Sequence, residues 1–454
     1  MERALDYLQN YKNHDWLISD NSQQFQHIAT ELYLELTQKP PQKIILAERE
    51  PVRFLASFIA ACAANCQVFL CNPDWGKQEW QQVFDLVQPD IVWGLGNNYP
   101  LPITHYQLPI THRIMIPTGG SSGKIKFAIH TWETLMASVQ GFTAYFQLKQ
   151  VNSFCVLPLY HVSGLMQFMR SFTTGGKLAI LPFKSIENHQ LDNIEISDFF
   201  ISLVPTQLQR LLESPELTSW ISQFSTVLLG GAPAWQELLE KARFHNIRLA
   251  PTYGMTETAS QIATLKPDDF LQGKQNSGQI LPHAQITIHN AQGKALKPNE
   301  IGNITIHSTS LALGYYPQTW ENQDKFSVDD LGFLDEQGYL NIVGRSSEKI
   351  ISGGENIYPT EIEAAIRETQ MVIDVCVIGI PDKHWGQALT VVYIPKNSNT
   401  SSLEIQTLLK NQLSKFKIPK NWIPLQNLPR NAQGKINRQQ LQQIAIKLLT
   451  NTPT

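Results

Sequence analysis

The chain has 454 residues, 42% of them hydrophobic and 17% charged, with a formal net charge of −3. That length supplies more than one hydrophobic core, and the near-neutral charge without a long basic run argues against nucleic acid as a main partner. The five cysteines, Cys62, Cys66, Cys71, Cys155 and Cys376, form no CxxC pair and are odd in number, which argues against a disulfide framework and points to a reducing, cytoplasmic compartment.

The segment Met1 to Asp20 is polar and shows no apolar core of a signal peptide. The longest apolar run, Phe54 to Cys71, is interrupted by Ser57, Asn65 and Gln67. It reads as a buried helix followed by a strand, with Asn65 between them, rather than as a membrane span. A soluble protein with no integral membrane segment is expected. Residues 1–110 alternate helical and strand-like segments, such as a helix from Ser22 to Gln38 and a strand from Lys43 to Ala47. The alternation predicts an α/β layer with a parallel-rich sheet. Trp75, Trp80 and Trp93 read as packing residues.

Next comes Pro117-Thr118-Gly119-Gly120-Ser121-Ser122-Gly123-Lys124-Ile125-Lys126. Glycines let backbone N–H groups converge on one point, hydroxyls add donors, and lysine adds a mobile cation. This composition suits a phosphate grip, and a flexible surface turn would have the same composition. The Walker pattern does not fit, because Ile125 follows Gly123-Lys124 and Thr118 stands where its first glycine belongs. Both flanks, Arg113 to Ile116 and Ile125 to His130, have strand character, so the loop is expected to join two strands of a hairpin.

Thr131 is placed to cap a helix running to about Gln147. A strand from Phe154 then ends at Pro158 and delivers His161 to a helix start. Ser163, Met166 and Arg170 recur at helical spacing on one face of that apolar helix. An arginine there needs an anionic partner or must snorkel to water. His161 could equally be a hydrogen-bonded helix-start residue, and Arg170 a structural ion pair; together they form a candidate acid-binding site. Phe199 to Thr206 and Val227 to Pro233 read as strands whose ends meet a helix start and a glycine turn, where open α/β sheets bind ligands. In Tyr253-Gly254-Met255-Thr256-Glu257, an aromatic suits a purine, a hydroxyl suits a phosphate oxygen, and a carboxylate suits Mg²⁺ beside a triphosphate. From about Ser277 short strands predict a small β-rich subdomain, including Ala284 to His289 and Gly302 to His307. Residues 349–454 are long enough for a small α+β domain.

Five motifs in this order between residues 113 and 436, the later ones being Val328-Asp329-Asp330-Leu331-Gly332 and Leu428-Pro429-Arg430-Asn431-Ala432-Gln433-Gly434-Lys435-Ile436, resemble those of the acyl-adenylate-forming superfamily of acyl-CoA synthetases, luciferases and adenylation domains. The resemblance implies a large α/β N-terminal domain of several subdomains, residues 1–345, one of them the small β-rich one. A hinge at residues 346–348 and a small mobile α+β C-terminal domain, residues 349–454, complete the expected fold. It implies ATP, Mg²⁺ and coenzyme A as cofactor and cosubstrates, with a small carboxylic acid as partner; an oligomer is compatible with it. The nucleotide would be bound by Thr118, Gly119, Gly120, Ser121, Ser122, Gly123, Lys124 and Lys126, where Ile125 departs from the usual proline. Gly231, Ala232 and Pro233 would line the adenine pocket, with Tyr253 and Gly254 beside them. Thr256 would meet phosphate and Glu257 the metal. Asp330 would take the ribose hydroxyls, although Val328-Asp329 departs from the usual Thr-Gly, and Arg345 would be the second ribose contact. Ser347 or Glu348 would be the pivot, Gly353 and Gly354 would pass the pantetheine arm, and Lys435 would bridge carboxylate and α-phosphate. His161, Ser163 and Arg170 would bind the acid, and His161 would stand with Lys435, Thr256 and Glu257 among the catalytic residues.

The run Pro158-Leu159-Tyr160-His161-Val162-Ser163-Gly164 with Arg170, and the run Ile351 to Pro359, are similar to the o-succinylbenzoyl-CoA synthetases of menaquinone and phylloquinone biosynthesis. A substrate with two carboxylates needs a cation for the one that does not react, and Arg170 is the candidate. Two other readings stay open: a CoA ligase for another aromatic or short- to medium-chain acid, and a catalytically silent nucleotide-binding protein.

Overall fold

The computed structural model describes residues 3–10, 16–19, 21–95, 112–119, 125–190, 194–352, 355–397, 400–410, 412–430 and 436–450. Two compact units result. The first comprises residues 1–233, 241–286 and 306–326; the second comprises 234–240, 287–305 and 327–454.

The first unit is built on two sheets. One has seven strands, with Lys43–Leu46, Gln67–Leu70, Ile91–Trp93 and Arg113–Gly119 running parallel. Arg113–Gly119 then pairs antiparallel with Ile125–His130, as expected of a hairpin. Side chains alternate across the sheet. Ile114 and Ile116 pack in a core with helix Pro51–Ala63, and Met115 packs on the other face with Phe127, Ile129, Phe69 and Trp80. Helix Pro51–Ala63 is buried almost all round, and Asn65, in the left-handed region, turns the chain into strand Gln67–Leu70. Trp80 is buried, and Trp75 meets it edge-on.

The second sheet has eight strands, in the order Leu17–Ile18, Leu178–Ile180, Asn152–Cys155, Phe199–Leu203, Thr226–Leu229, Leu249–Met255, Ser260–Thr264 and Gln279–Ile280. The first six run parallel; Ser260–Thr264 pairs antiparallel with Leu249–Met255, and Gln279–Ile280 pairs antiparallel with Ser260–Thr264. Helix Trp132–Phe146 starts where Thr131 accepts a hydrogen bond from the Thr134 amide, and it ends at Gln147 in the left-handed region.

A four-stranded sheet follows the order Ala284–His289, Gly302–Ser308, Phe326–Leu334, Leu340–Arg345. Within the second unit a further sheet is built around the long antiparallel pair Val372–Asp382 and Gly386–Pro395. Helix Pro359–Glu368 covers the face carrying Val375, Val377 and Val391, and helix Arg438–Thr450 covers the face carrying Cys376, Ile378 and Val392. This is an α+β layer arrangement. Among the described residues no helix is long and apolar enough to cross a membrane.

Candidate active site

Strand Leu249–Met255 leads into a single 3-10 turn, Thr256–Thr258, and the chain returns as Ser260–Thr264. The return is tight. A Cβ on Gly254 would lie 2.1 Å from the Ser260 carbonyl oxygen, so only glycine fits there. Ala259 and Ser260 both have positive φ, 49° and 101°. Such conformations cost energy in non-glycine residues and gather at functional turns.

This turn is gripped from three sides. His130, fully buried, reaches the Thr256 carbonyl oxygen through Nε2 over 2.8 Å and lies 3.0 Å from Thr134 Oγ1 through Nδ1. A carbonyl only accepts, so Nε2 carries the proton. Burial lowers the imidazole to about 4 against the opposing pull of that hydrogen bond, so the ring is neutral at pH 7. Ser138 donates to the Ala259 carbonyl, and the Ala312 amide donates to the Glu257 carbonyl.

Glu257 itself is 8% exposed. Thr118 Oγ1 donates to its Oε1 over 3.3 Å, and the Tyr315 hydroxyl donates to the same oxygen over 2.6 Å. Burial, then the adjacent Glu257 carboxylate, push the Tyr315 phenol upward, so it stays protonated as the donor. Lys126 is the cross-strand partner of Thr118, and its Nζ lies 5.3 Å from the Tyr315 ring centroid. Thr118, Lys126, Thr256 and Glu257 are therefore brought together. Gly119 ends the first hairpin strand, while Gly120, Ser121, Ser122, Gly123 and Lys124 lie outside the described residues. The Thr118 proton is used on Glu257, which leaves that hydroxyl only its lone pairs for another group.

Gly231, Ala232 and Pro233 follow strand Thr226–Leu229 and are exposed, with Gly231 at φ 80°. Strand Thr226–Leu229 pairs with Leu249–Met255, where half-buried Tyr253 and Gly254 sit at a register shift. Both segments thus leave the carboxyl ends of neighbouring parallel strands, the usual place for a ligand in such sheets.

His161 is the N-cap residue of helix Val162–Thr174, with its ring against Tyr160 and no side-chain cap. Ser163 is half-buried in the first turn. Arg170, 2% exposed, turns toward the strand after the Glu257 turn. Its Nη2 donates to Ser260 Oγ over 2.9 Å and to Gln261 Oε1 over 2.8 Å, and its guanidinium lies 4.2 Å from the Phe142 ring centroid. Its Nε is buried with no partner among the described residues. Among the described residues no carboxylate pairs with it, and burial lowers the group to about 9. Close by, His283 packs on Gly141, where a Cβ would lie 1.8 Å from Nδ1. Both of its ring nitrogens are buried with no partner among the described residues, and burial, then the Arg170 charge, hold it at about 4. An open cleft of about 660 Å³, lined by Thr134, His283, His307, Ser308, Leu313 and Asp324 among others, contains none of the residues singled out by sequence.

In the second unit, Asp330 and Arg345 are cross-strand partners joined by an ion pair of 3.2 Å. Asp329 accepts from the Ser347 amide over 3.1 Å and from the Ser347 hydroxyl, while its carbonyl accepts from Ser346. Glu348 pairs with Arg438 over 3.2 Å. Gly353, Gly354 and Lys435 lie outside the described residues; Arg430 and Ile436, which flank residues 431–435, form an isolated antiparallel bridge. Sequence reasoning did not find Tyr315, His130, Gln261 or His283. Their only signals were a Gly-Tyr-Tyr-Pro run for Tyr315 and isolated polar residues in apolar strands for His130 and Gln261, while His283 sits in a short turn between strands.

Chemically, the first unit offers a buried carboxylate with one oxygen saturated, a lysine against the tyrosine that donates to it, and a guanidinium that among the described residues has no anion. The family model described as AMP-binding enzyme matches residues 109–316, and that described as AMP-binding enzyme C-terminal domain matches residues 361–435. A 2-succinylbenzoate–CoA ligase of Oceanobacillus iheyensis is 37% identical over 63% of this chain and 60% of its own length. That of Listeria monocytogenes is 37% identical over 72% of this chain and 68% of its own. The structure of o-succinylbenzoate CoA synthetase (MenE) from Bacillus subtilis, in complex with the acyl-adenylate intermediate OSB-AMP, superposes with a TM-score of 0.83 and 25% identity, covering 96% of this chain and 97% of that one. The chain belongs to the AMP-binding enzymes of the acyl-adenylate-forming superfamily, in the 2-succinylbenzoate–CoA ligase family.

Proposed function

We propose that this chain joins 2-succinylbenzoate to coenzyme A through an acyl-adenylate. The observation that carries the choice of acid is Arg170, a buried guanidinium beside the Glu257 turn that has no anion among the described residues. A monocarboxylic acid would leave that charge uncompensated, whereas a second carboxylate would supply the missing partner. The acid-binding role of His161 and Ser163 at the start of the same helix belongs to this reading.

In the first half-reaction a carboxylate oxygen of the acid attacks the α-phosphorus of ATP. The bond from that phosphorus to the bridging oxygen breaks, and pyrophosphate leaves. Lys126 and the loop from Thr118 to Lys124 hold the phosphates, and Tyr253 with Gly231 to Pro233 holds adenine. Asp330 and Arg345 hold the ribose. Glu257 fits a divalent cation, since a hard carboxylate oxygen beside phosphates is the ligand Mg²⁺ takes, and the cation would neutralise triphosphate charge. Lys435 bridges carboxylate and α-phosphate and stabilises the charge that develops there. In the second half-reaction the chain turns about Ser347, Lys435 withdraws, and the pantetheine arm enters past Gly353 and Gly354. The thiol sulfur attacks the acyl carbon, its proton passes to solvent, and AMP leaves. No protein nucleophile is needed, so rate comes from positioning and charge stabilisation.

CoA-dependent AMP release across a panel of acids tests this. Turnover with 2-succinylbenzoate well above that with benzoate and medium-chain acids is expected. Turnover of benzoate or a medium-chain acid with none of 2-succinylbenzoate would assign the chain to another acid, and no AMP from any acid would mean a silent nucleotide-binding protein.

A further inference from the structure

Glu257 receives two donors on one oxygen: the Tyr315 hydroxyl at 2.6 Å and Thr118 Oγ1 at 3.3 Å, both on Oε1. A carboxylate oxygen offers two lone-pair directions, so these donors saturate it. Among the described residues no donor reaches Oε2. The segment that brings Tyr315 also holds the main chain of Glu257, through the Ala312 amide over 2.8 Å. Strand Gly314–Tyr315 runs antiparallel to Ile125–His130, with Tyr315 opposite Ala128, and Trp320 meets the Tyr315 ring edge-on at 5.5 Å. The ring is thereby fixed, and Lys126 lies against it.

We propose that Tyr315 is a positioning residue for the divalent cation that accompanies the nucleotide: it pins Glu257 by Oε1 so that Oε2 is the oxygen presented to the cation, and its ring carries Lys126 alongside. This rests on the reading of Glu257 as the cation's carboxylate. A carboxylate free to rotate about its last torsion would offer either oxygen and lose ordering entropy when the cation binds. The phenol removes that freedom beforehand, while the same ring keeps the cationic Lys126 within reach of the phosphates. Tyr315 touches neither reacting atom, so its effect passes through Glu257.

The test is a Mn²⁺ titration of the full chain, followed by electron paramagnetic resonance, with a non-hydrolysable ATP analogue present. Tyr315→Phe keeps the ring packing and removes only the hydroxyl. It should weaken Mn²⁺ binding roughly tenfold, the size of a lost hydrogen bond to a charged group. It should raise the Mg²⁺ concentration needed for half-maximal pyrophosphate release by a similar factor and leave the KM for the acid within about twofold. Thr118→Val, which removes the other donor to the same oxygen, should shift Mn²⁺ affinity in the same direction. Glu257→Gln should weaken it at least as much, and the Glu257→Gln/Tyr315→Phe double variant should be no weaker than Glu257→Gln alone. Unchanged Mn²⁺ affinity in Tyr315→Phe while Glu257→Gln weakens it, or losses that multiply in the double variant, would overturn the proposal. If Glu257→Gln itself leaves Mn²⁺ binding unchanged, the cation reading of Glu257 falls instead.

Discussion

At the scale of single residues, Arg170 is a buried charge that has no anion among the described residues. Burial lowers it to about 9, and its Nε makes no hydrogen bond among the described residues. Removing an uncompensated buried charge while keeping its volume is often neutral or stabilising. Arg170→Met should therefore leave Tm unchanged or raise it in the absence of substrate. The same change should raise the KM for a dicarboxylic acid on the order of 100-fold, the cost of stripping one partner from a buried ion pair. A monocarboxylic acid should be affected far less. Thermal melts and steady-state kinetics on both acids check this; a fall in Tm with equal KM changes would make Arg170 a structural residue. His130 gives a second residue-scale prediction. Its folded value of about 4 lies below the ordinary value of 6.5, so the unfolded chain binds the extra proton between those values. Its contribution to stability is fully present above pH 6.5 and is lost as the pH falls toward 4, at up to about 1.4 kcal/mol per pH unit. His283, also at about 4, adds a slope of the same sign. His130→Gln retains a donor for the Thr256 carbonyl and cannot titrate, so denaturant melts from pH 7 to pH 4 should show a shallower acid loss than the parent.

At the scale of elements, the Glu257 turn depends on how closely two strands approach. Gly254→Ala would place a methyl group 2.1 Å from the Ser260 oxygen, and backbone must move to admit it. Overpacking of this kind typically costs about 1–3 kcal/mol. Because the displaced strand carries Ser260 and Gln261, the Arg170 contacts should move with it. Lower Tm together with a raised KM for the acid is expected; an unchanged KM would mean that the turn tolerates the methyl group locally. Much of this level was legible in the sequence. Thr131 is a capping residue before an apolar-periodic run, and the helix Trp132–Phe146 starts and stops within a residue of expectation. Strand character on both sides of residues 117–126 was enough to give the hairpin. What joins elements distant in the chain was not legible. Nothing near Tyr315 indicates that its hydroxyl meets Glu257, and nothing near Gly141 indicates that an imidazole from residue 283 lies on it. Local pattern reports periodicity and caps, whereas these contacts are set by which strands become neighbours in a sheet.

At the scale of the whole molecule, the two half-reactions proposed above would make opposite demands on Lys435 and on the segment around Ser347. Adenylation needs a cation at the α-phosphate, whereas thioester formation needs that cation gone and the thiol admitted. Asp329 bears on the change. It stands where the superfamily has glycine, and it holds both the amide and the hydroxyl of Ser347. Those bonds are to a charged acceptor, each worth more than a neutral one, so the proposed turn about Ser347 would have to break or carry them. Asp329→Gly should therefore speed the passage between half-reactions if that passage limits turnover, and leave each isolated half-reaction little changed. Lys435→Ala separates the chemistry from the motion. It should reduce adenylate formation by about 100-fold or more, the usual loss when one preorganised electrostatic group is removed. Thioester formation from supplied acyl-adenylate should survive. Single-turnover measurement of pyrophosphate release and of thioester formation, run on Lys435→Ala, Asp329→Gly and the parent, resolves the two effects. Equal loss of both half-reactions in Lys435→Ala would remove that lysine from the first step, and an Asp329→Gly chain with the parent's overall rate and slower half-reactions would make Asp329 a fold residue with no part in the turn.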